Sequence, residues 1–544
     1  MKSSSQGSQE SKESKGSSYR TLLGLVTVCI ATIMLPVSLT GSSVAMPGVA
    51  ADFHNSLAAG QWIVNGYDLT FASLMLTAGS FADMFGRRRL FVLGNAVFAG
   101  CSLVSALSTN IVTLDIARAL AGVGAAAVLT SGSAILATLF EGAARARAFG
   151  VFGTAVGAGL AFGPFVAGAL QTAFNWRFIF LLPAVVGALV LGLSGFLPES
   201  SDPQAKAIDW LGMVTFTGAL ATLILALLQG AQNGWDSPLN IAAYVLCAAL
   251  LVSFIVVETR QAQPMFDISL FRQPQFVSLC VAVIALVFGF TPLLVYLPSY
   301  LTAVNHQSTF HAGVDLMMLT VPTLIFPLVT GYLLRWIPIR HMVTLAVALT
   351  AIGTGWLVVL APGVGNWVVF GPFVVIGAGI GVSFGVMDGA AVSSVEPSRA
   401  GMAAGMFNTM RLAGEAISIA VVGSLLVSAT QSELAGKLAA FSGRYADDPA
   451  ALADKLNQGQ LTGAASTVEE ASRAAFTRVA ESAYTGALHE VLWILAGFCA
   501  VATVLVATVG ARSQKQQAVH PGTDPKADPE TVAAAEPGAT PSPV

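Results

Sequence analysis

Long apolar stretches separated by short polar segments make up most of this chain of 544 residues. A helix needs about 20 predominantly apolar residues to cross the hydrocarbon core of a bilayer, and fourteen stretches come close to that length. We therefore predict an all-α integral membrane protein with fourteen spanning helices. The predicted spans are residues 21–47, 61–82, 90–107, 111–140, 149–170, 177–198, 210–230, 239–257, 276–301, 312–334, 342–361, 367–395, 402–430 and 487–510.

The composition agrees with this class, because 55% of the residues are hydrophobic and only 10% are charged. The net charge is −3 and the basic residues are dispersed among the loops, which excludes a nucleic-acid partner. The five cysteines all fall in apolar segments without C-x-x-C spacing, so we expect neither disulfides nor metal ligands. No H-E-x-x-H motif occurs, and we expect no enzyme activity and no cofactor.

The arginines of one short loop predict the orientation of the chain. Residues 79–90 read G-S-F-A-D-M-F-G-R-R-R-L and lie between the second and third predicted spans. Lys and Arg in short loops are retained on the cytoplasmic side during insertion, so this loop should be cytoplasmic. Since the number of spans is even, both termini are then cytoplasmic as well.

An internal repeat predicts a two-bundle architecture. Residues 331–343 are a degraded copy of the 79–90 loop, with Gly331 matching Gly79 at an offset of 252. The pair Arg147-Ala148 recurs as Arg399-Ala400 at the same offset. A duplication of six spans with a two-span insertion between the halves explains both matches. We therefore predict two six-helix bundles related by a pseudo-two-fold repeat, plus two inserted helices.

The spans and loops divide the chain into seven predicted segments. The terminal tails are polar and should be disordered, and the long external loop carries Ala-rich stretches typical of helices. The segments are a disordered cytoplasmic tail (1–20), the N-terminal bundle (21–200), an inserted two-helix segment (201–262), five spans of the C-terminal bundle (263–430), an extracellular helical loop (431–486), the last span (487–511) and a second disordered cytoplasmic tail (512–544).

The loop at residues 79–90 resembles the loop between spans two and three of the major facilitator superfamily. In that family Gly, Asp, Gly and a basic cluster recur at this spacing, and the resemblance implies a cluster that favours the outward-facing state. Asp83 can pair with an arginine or face the positive N-terminus of a neighbouring helix, and Glu141 can pair with Arg87. The alternative is that the arginines only anchor the topology. The predicted gating residues are Gly79, Asp83, Gly86, Arg87, Arg88, Arg89 and Glu141.

Two further stretches are similar to the fourteen-span drug:proton antiporters of this superfamily. Residues 118–125 read R-A-L-A-G-V-G-A, with Ala121 where Gln is usual, and residues 159–168 read G-L-A-F-G-P-F-V-A-G. The second stretch is typical of exporters. Its glycines make a smooth helix face and Pro164 removes a helical hydrogen bond, which suits a rocking interface between bundles, although ordinary packing is an alternative. The predicted motif residues are Gly159, Gly163, Pro164 and Gly168.

Ionisable residues inside a membrane are costly, so they are candidates for function. Asp68 and Arg118 lie at matching depth on the second and fourth spans, which permits an ion pair. Asp115 is one turn above Arg118 and is an alternative partner. If Asp115 takes that place, Asp68 is free to bind a proton.

The second half carries three further candidates. Arg411 and Glu415 are spaced i, i+4 on the thirteenth span, so they can pair on one helix face. Asp388 has no partner nearby in sequence and is either a cavity carboxylate or a capped one. Ser38 stands where the resembling family usually carries an acid, so the proton site must differ here. Asp68 is our first candidate, because a carboxyl group in apolar surroundings can bind a proton near neutral pH.

Together these observations predict a secondary active exporter of lipophilic compounds, cations among them, in exchange for protons, embedded in the cell membrane as a monomer. Its expected partners are the small-molecule substrate, protons and the bilayer. An exporter of one specific metabolite or natural product is an alternative, as is an importer of the same fold.

Overall fold

The structure is a computed structural model, and it describes residues 3–53, 62–201, 209–233, 236–261, 268–307, 309–393, 395, 400–438, 441, 445, 448–457 and 461–519. All regular elements in these ranges are helices. The first half contains α1 (Ser3–Phe53), α2 (Trp62–Phe85), α3 (Arg87–Leu107), α4 (Ile111–Leu139), α5 (Gly142–Ala173) and α6 (Arg177–Leu193). The insertion contains α7 (Trp210–Asn233) and α8 (Pro238–Arg260).

The second half follows a short 3-10 helix at Ile268–Arg272. Its long helices are α9 (Pro274–Ala303), α10 (Thr309–Leu333), α11 (Ile339–Trp356), α12 (Asn366–Ser393) and α13 (Ala400–Leu434). Two short helices, α14 (Pro449–Asn457) and α15 (Leu461–Ala465), precede the final helix α16 (Glu470–Val519).

Thirteen helices of the described chain are long and apolar enough to cross a membrane. The fourteenth long helix, α2, has 24 residues and carries the polar side chains of Asn65, Asp68 and Asp83, which lower its hydropathy. It packs between α4 and α13 and therefore belongs to the same helical body as the apolar spans.

The helix packing repeats in the two halves. In the first half, α2 and α3 pack on α4, α5 packs on α1, and α6 packs on α3. In the second half, α10 and α11 pack on α12, α13 packs on α9, and α16 packs on α11. Each contact of the first bundle therefore has a counterpart at the equivalent position of the second, which confirms the predicted duplication. Arg399, part of the sequence repeat, lies outside the described residues.

The two bundles meet along two seams. On one seam α2 packs against α13, and on the other α5 packs against α10 and α12. A Cβ atom added to Gly405 of α13 would lie 3.4 Å from the Cα of Gly79, and one added to Gly150 of α5 would lie 3.5 Å from the Cα of Gly331. Both close approaches lie near the ends of α2 and α10 and near the starts of α5 and α13. Gly79 and Gly331 are the pair that the sequence repeat relates, so the seams are pseudo-equivalent.

The polar segment between α13 and the last span is a packed helical cap. Leu452, Leu456 and Leu461 are buried in the same hydrophobic cluster as Tyr300 and Tyr484 of the second bundle. α14 contacts α9, α13 and α16. The described part of this segment contains the short helices α14 and α15, and it extends the core of the second bundle.

The termini differ from the predicted disordered tails. Helix α1 begins at Ser3 and α16 continues to Val519, whereas residues 520–544 lie outside the described residues. At the C-terminal end the helix propagates from the apolar span into Ala, Arg, Lys and Gln, which have good helix propensity. Residues 3–18 are mostly Ser and Gly, so propensity does not explain the helix there.

Candidate functional site

The turn between α2 and α3 joins the two bundles through Asp83. One oxygen of its carboxylate accepts hydrogen bonds from Nε and Nη2 of Arg87 at 3.1 and 2.9 Å. The other oxygen accepts a bond of 2.7 Å from the backbone N–H of Met402, in the first turn of α13. Free N–H groups and the helix dipole make this N-terminus a good partner for an anion. Asp83 therefore holds the start of α13 against the end of α2, as one of the predicted alternatives requires.

The backbone of Gly86 favours glycine at this turn. Its φ of 105° lies in a region that L side chains rarely adopt. A Cβ atom here would also lie 2.5 Å from Oε1 of Glu199, although that flexible carboxylate end can move aside. The positive φ is therefore the main reason for glycine at this position.

The remaining basic residues of the loop contact Glu199, which the sequence did not single out. The backbone N–H of Arg88 donates to Oε1 of Glu199 at 3.2 Å, and Arg89 lies 3.6 Å from Oε2. The predicted pair between Glu141 and Arg87 is wrong. Both residues are described, but Glu141 is the exposed N-cap of α5 and does not contact Arg87, whose carboxylate partner is Asp83.

The glycines of α5 lie on two different faces. Gly159 and Gly163 face α1 of the same bundle, where added Cβ atoms would collide with Pro36 and Thr40. Gly153 faces the backbone of Phe384 on α12, and a Cβ at Gly157 would lie 2.6 Å from the carbonyl oxygen of Thr323 on α10. The seam between the bundles is thus formed by Gly153 and Gly157.

The other residues of this motif lie outside the close contacts. Pro164 is inside α5 and exposed, and the Cβ position of Gly168 has no neighbouring atom within 4 Å. The close contacts of the predicted motif itself, at Gly159 and Gly163, are therefore with α1 within the first bundle. The glycines of α5 that lie at the seam are Gly153 and Gly157, earlier on the same helix.

Arg118 is fully buried at the centre of the first bundle. Its Nη1 donates to the hydroxyl of Ser38 on α1 at 2.8 Å, and its Nε donates to the carbonyl of Ile63 on α2 at 3.0 Å. The guanidinium also lies over the ring of Tyr67, 4.3 Å from its centroid. These contacts tie together α1, α2 and α4.

Neither predicted acid forms a direct ion pair with Arg118. Asp68 is close enough to Arg118 for an electrostatic interaction but not for a salt bridge. Asp115, one turn away on α4, has a buried carboxylate oxygen without a hydrogen-bond partner in the described structure. The side chain that binds Arg118 is that of Ser38.

Asp68 and Glu415 face each other across the α2–α13 seam. Both residues are half-buried, and their carboxylates are close enough to interact electrostatically. Asp68 lies about three turns before Gly79 on α2, and Glu415 lies about three turns after Gly405 on α13. Two like charges within electrostatic range repel when both are ionised, and protonation of one removes that repulsion.

Asp388 has a partner on the next helix. Its Oδ2 lies 3.5 Å from Nη1 of Arg411 on α13, and its Oδ1 accepts a bond of 3.3 Å from Nδ2 of Asn408. All three residues are buried. The direct partner of Arg411 is therefore Asp388, and the expected intrahelical pair with Glu415 is wrong; Glu415 interacts with Arg411 only at longer range. Asp388 is the capped carboxylate of the two alternatives.

Sequence reasoning missed Tyr67, Asn408 and Glu199. Tyr67 adjoins Asp68, and Asn408 is one turn before Arg411, so an uncharged polar residue beside an intramembrane charge is the signal that identifies them. Glu199 carries no comparable signal, because 111 residues separate it from Arg88.

The motifs, the duplicated bundles and the loop geometry all point to one family, and a family model decides it. The model described as Major Facilitator Superfamily matches residues 28–419. The chain belongs to the major facilitator superfamily. This chain is therefore a multi-pass transporter of small molecules in the cell membrane, and not an enzyme.

The chain is similar to two curated relatives and to one solved structure. Its sequence is 28% identical to the multidrug resistance protein Stp of Mycobacterium tuberculosis over 75% of this chain and 76% of Stp. It is 31% identical to the puromycin resistance protein pur8 of Streptomyces alboniger, over 78% of this chain and 86% of pur8. The fold matches the crystal structure of the human organic anion transporter MFSD10 (TETRAN) with a TM-score of 0.57 at 14% identity, covering 90% of this chain and 98% of MFSD10.

Proposed function

We propose that this chain is a secondary active exporter that exchanges lipophilic, preferably cationic compounds for protons by alternating access. The named activities of its relatives, multidrug resistance and puromycin resistance, support export of such compounds. The observation that carries proton exchange is the carboxylate pair Asp68 and Glu415, which faces across the seam between the two moving bundles.

The predicted orientation supplies the direction. With the arginine loop on the cytoplasmic side, the close approaches at Gly79–Gly405 and Gly150–Gly331 lie at the cytoplasmic end of both seams. The Asp83 bond to the start of α13 closes the same end. The arrangement is then closed towards the cytoplasm, which is the outward-facing state of the cycle.

The carboxylate pair links protons to this movement. When both acids are ionised, their repulsion favours separation of α2 from α13 at mid-membrane. When a proton from outside binds to the pair, the repulsion ends and the bundles can close around the site. A cation entering from the cytoplasm replaces the proton, because it neutralises the same charge. Proton and cation then occupy the pair alternately, which is the requirement for exchange.

The charges of Arg118 and Arg411 act on the two acids of the carboxylate pair. Arg118 has a neutral partner, so its positive charge acts on Asp68. Arg411 pairs directly with Asp388 and interacts with Glu415 at longer range. An ionised carboxylate near each guanidinium is therefore tolerated in the membrane.

An accumulation panel tests the proposed function. Cells that express the wild-type protein, or the Asp68→Asn variant at equal level, are loaded with dye cations, puromycin and a neutral metabolite. We expect the wild type alone to lower the accumulation of the lipophilic cations, and collapse of the proton gradient to abolish the difference. Equal accumulation in wild-type and non-expressing cells across the whole panel would contradict export.

A further inference from the structure

The inserted hairpin covers one of the two seams between the bundles. Phe216, Leu220 and Ile224 follow one another at four-residue spacing on α7 and are buried. They share a hydrophobic cluster with α2 on one side of the seam and with α13 on the other. The cluster includes Ala72, Leu76, Met402 and Met406. The hairpin therefore bridges both bundles along the α2–α13 seam.

The opposite face of α7 points away from the bundles. Leu211 and Val214 are 64% and 62% exposed, in contrast to Phe216 and Leu220 at 9% and 8%. A side-chain hydrogen-bond contact of 3.1 Å between Thr77 and Thr217 fixes α7 to α2. Helix α8 packs on α7 and is mostly exposed along its apolar length, as expected of a helix that faces lipid.

On the α2 side the covered stretch begins close to Asp68. Ala72 and Leu76 are one and two turns from Asp68 on α2, towards Gly79. Methionine side chains at Met402 and Met406 line the α13 side, and their flexible thioethers can stay in contact with α7 while α13 moves. This cover can therefore persist when the two bundles rock.

The other seam has a different form. At Gly157 of α5 the two bundles touch, since a Cβ there would lie 2.6 Å from the Thr323 carbonyl of α10. Further along α5 and α10, the Cβ positions of Gly168 and Gly313 have no neighbouring atom within 4 Å. The pseudo-two-fold repeat places this seam on the side of the molecule opposite the hairpin. The α5–α10 seam is thus closed at the end where Gly150 approaches Gly331 and open towards the other end.

We propose that α7 and α8 form a lipid seal over the α2–α13 seam, which leaves the α5–α10 seam as the route between the bilayer and the space between the bundles. The seal keeps acyl chains away from Asp68 and Glu415, whose ionised forms need water or a cation beside them. A lipophilic ligand dissolved in the bilayer then enters or leaves through the α5–α10 seam. This second part rests on the proposed function, whereas the seal does not.

Photolabelling in nanodiscs tests the seal directly. The full-length protein is embedded in phosphatidylcholine that carries a photoreactive diazirine in its acyl chain, and adducts are mapped by mass spectrometry. We expect adducts near Gly168 and Gly313 and only background labelling at Ala72, Leu76 and Met406. Labelling of the α2–α13 seam in the wild type, at the level of the lipid-facing side of α8, would overturn the proposal.

Truncation of the hairpin face provides a matched comparison. The double variant Phe216→Ala/Leu220→Ala should raise labelling at Ala72 and Leu76 several-fold, while Leu211→Ala/Val214→Ala on the exposed face should leave it unchanged. A uniform response in both variants, or in neither, would also overturn the seal. The single variant Leu220→Ala serves where the double variant is not monodisperse.

A photoreactive lipophilic cation separates the seal from the proposed function. Adducts of this probe along α5 and α10, in competition with the unlabelled compound, support the ligand route. If lipid labels this seam but the cation does not, the seal stands and the substrate class is wrong. If the cation labels the α2–α13 seam of the wild type, the route itself is wrong.

Discussion

The guanidinium of Arg118 is bound to the hydroxyl of Ser38 at 2.8 Å, across the first bundle from α4 to α1. A carboxylate at this position would cancel the positive charge of Arg118 by a direct ion pair. The neutral serine binds the guanidinium but leaves its charge available to Asp68, which lies within electrostatic range. The departure of Ser38 from the family pattern therefore goes together with an acid on the neighbouring helix.

Replacement of Ser38 by alanine should lower the stability of the protein. The substitution removes one acceptor from a buried guanidinium, and hydrogen bonds to charged groups contribute about 1.5–3 kcal/mol. Thermal unfolding in detergent measures the loss. The control is Ser42→Ala, one turn away, because the buried Ser42 hydroxyl donates only to the local Ser38 carbonyl at 2.7 Å. Equal losses in both variants would show that the Arg118 contact carries no special weight.

Substitution of Asp83 by asparagine should weaken closure at the Arg87 end of the seams. The variant loses the charge that binds both Arg87 and the N–H of Met402, a contact between bundles worth about 1–3 kcal/mol. Spin labels near the ends of α2 and α13 should report a longer distance in nanodiscs. Asp209→Asn is the control, since Asp209 accepts a bond from Gly212 within the inserted segment. An unchanged α2–α13 distance in Asp83→Asn would contradict the role of this contact.

A valine at Gly153 should prevent close approach of the bundles. Its side chain would collide with the backbone of Phe384 on α12, which cannot yield as a flexible side chain can. We expect loss of transport with normal insertion, measured as efflux per protein at the membrane. Valine at Gly168 on the same helix meets no atom within 4 Å and should retain closure. Full efflux by Gly153→Val would place the working interface elsewhere.

The pair Asp388–Arg411 should behave as a structural pair. Removal of one partner from a buried ion pair typically costs about 3–5 kcal/mol, because the other charge remains uncompensated. Asp388→Asn should therefore lower the thermal stability strongly, and Asp388→Asn/Arg411→Gln should recover most of it. If Asp388→Asn is as stable as the wild type but no longer couples transport to protons, Asp388 is a proton site instead.

Local patterns predicted the parts of the molecule that depend on local order. Apolar length predicted the spanning helices, and the 252-residue offset between Gly79 and Gly331 predicted the duplicated packing. The loop motif placed Asp83 beside both an arginine and a helix N-terminus, because neighbouring residues and a helix end suffice for that inference.

Partners set by helix rotation could not be predicted. Sequence gives the depth of a residue along its span. By depth alone, the side chains of Ser38, Asp68 and Asp115 can all reach Arg118. Which of them binds Arg118 depends on how α1, α2 and α4 are turned about their axes. The same applies to Arg411, whose partner Asp388 lies on another helix and not one turn along its own. Glu199 was missed because only the tertiary fold brings it to the arginine loop.

The central claim is that the carboxylate pair across the α2–α13 seam couples transport to protons. The most direct measurement follows proton movement in proteoliposomes with a pH-sensitive dye while a lipophilic cation is supplied. The wild type should exchange the cation for protons, Asp68→Asn should bind the cation but move no protons, and Asp236→Asn, at the exposed turn before α8, should match the wild type. Cation-driven proton movement by Asp68→Asn at the wild-type rate would contradict the account.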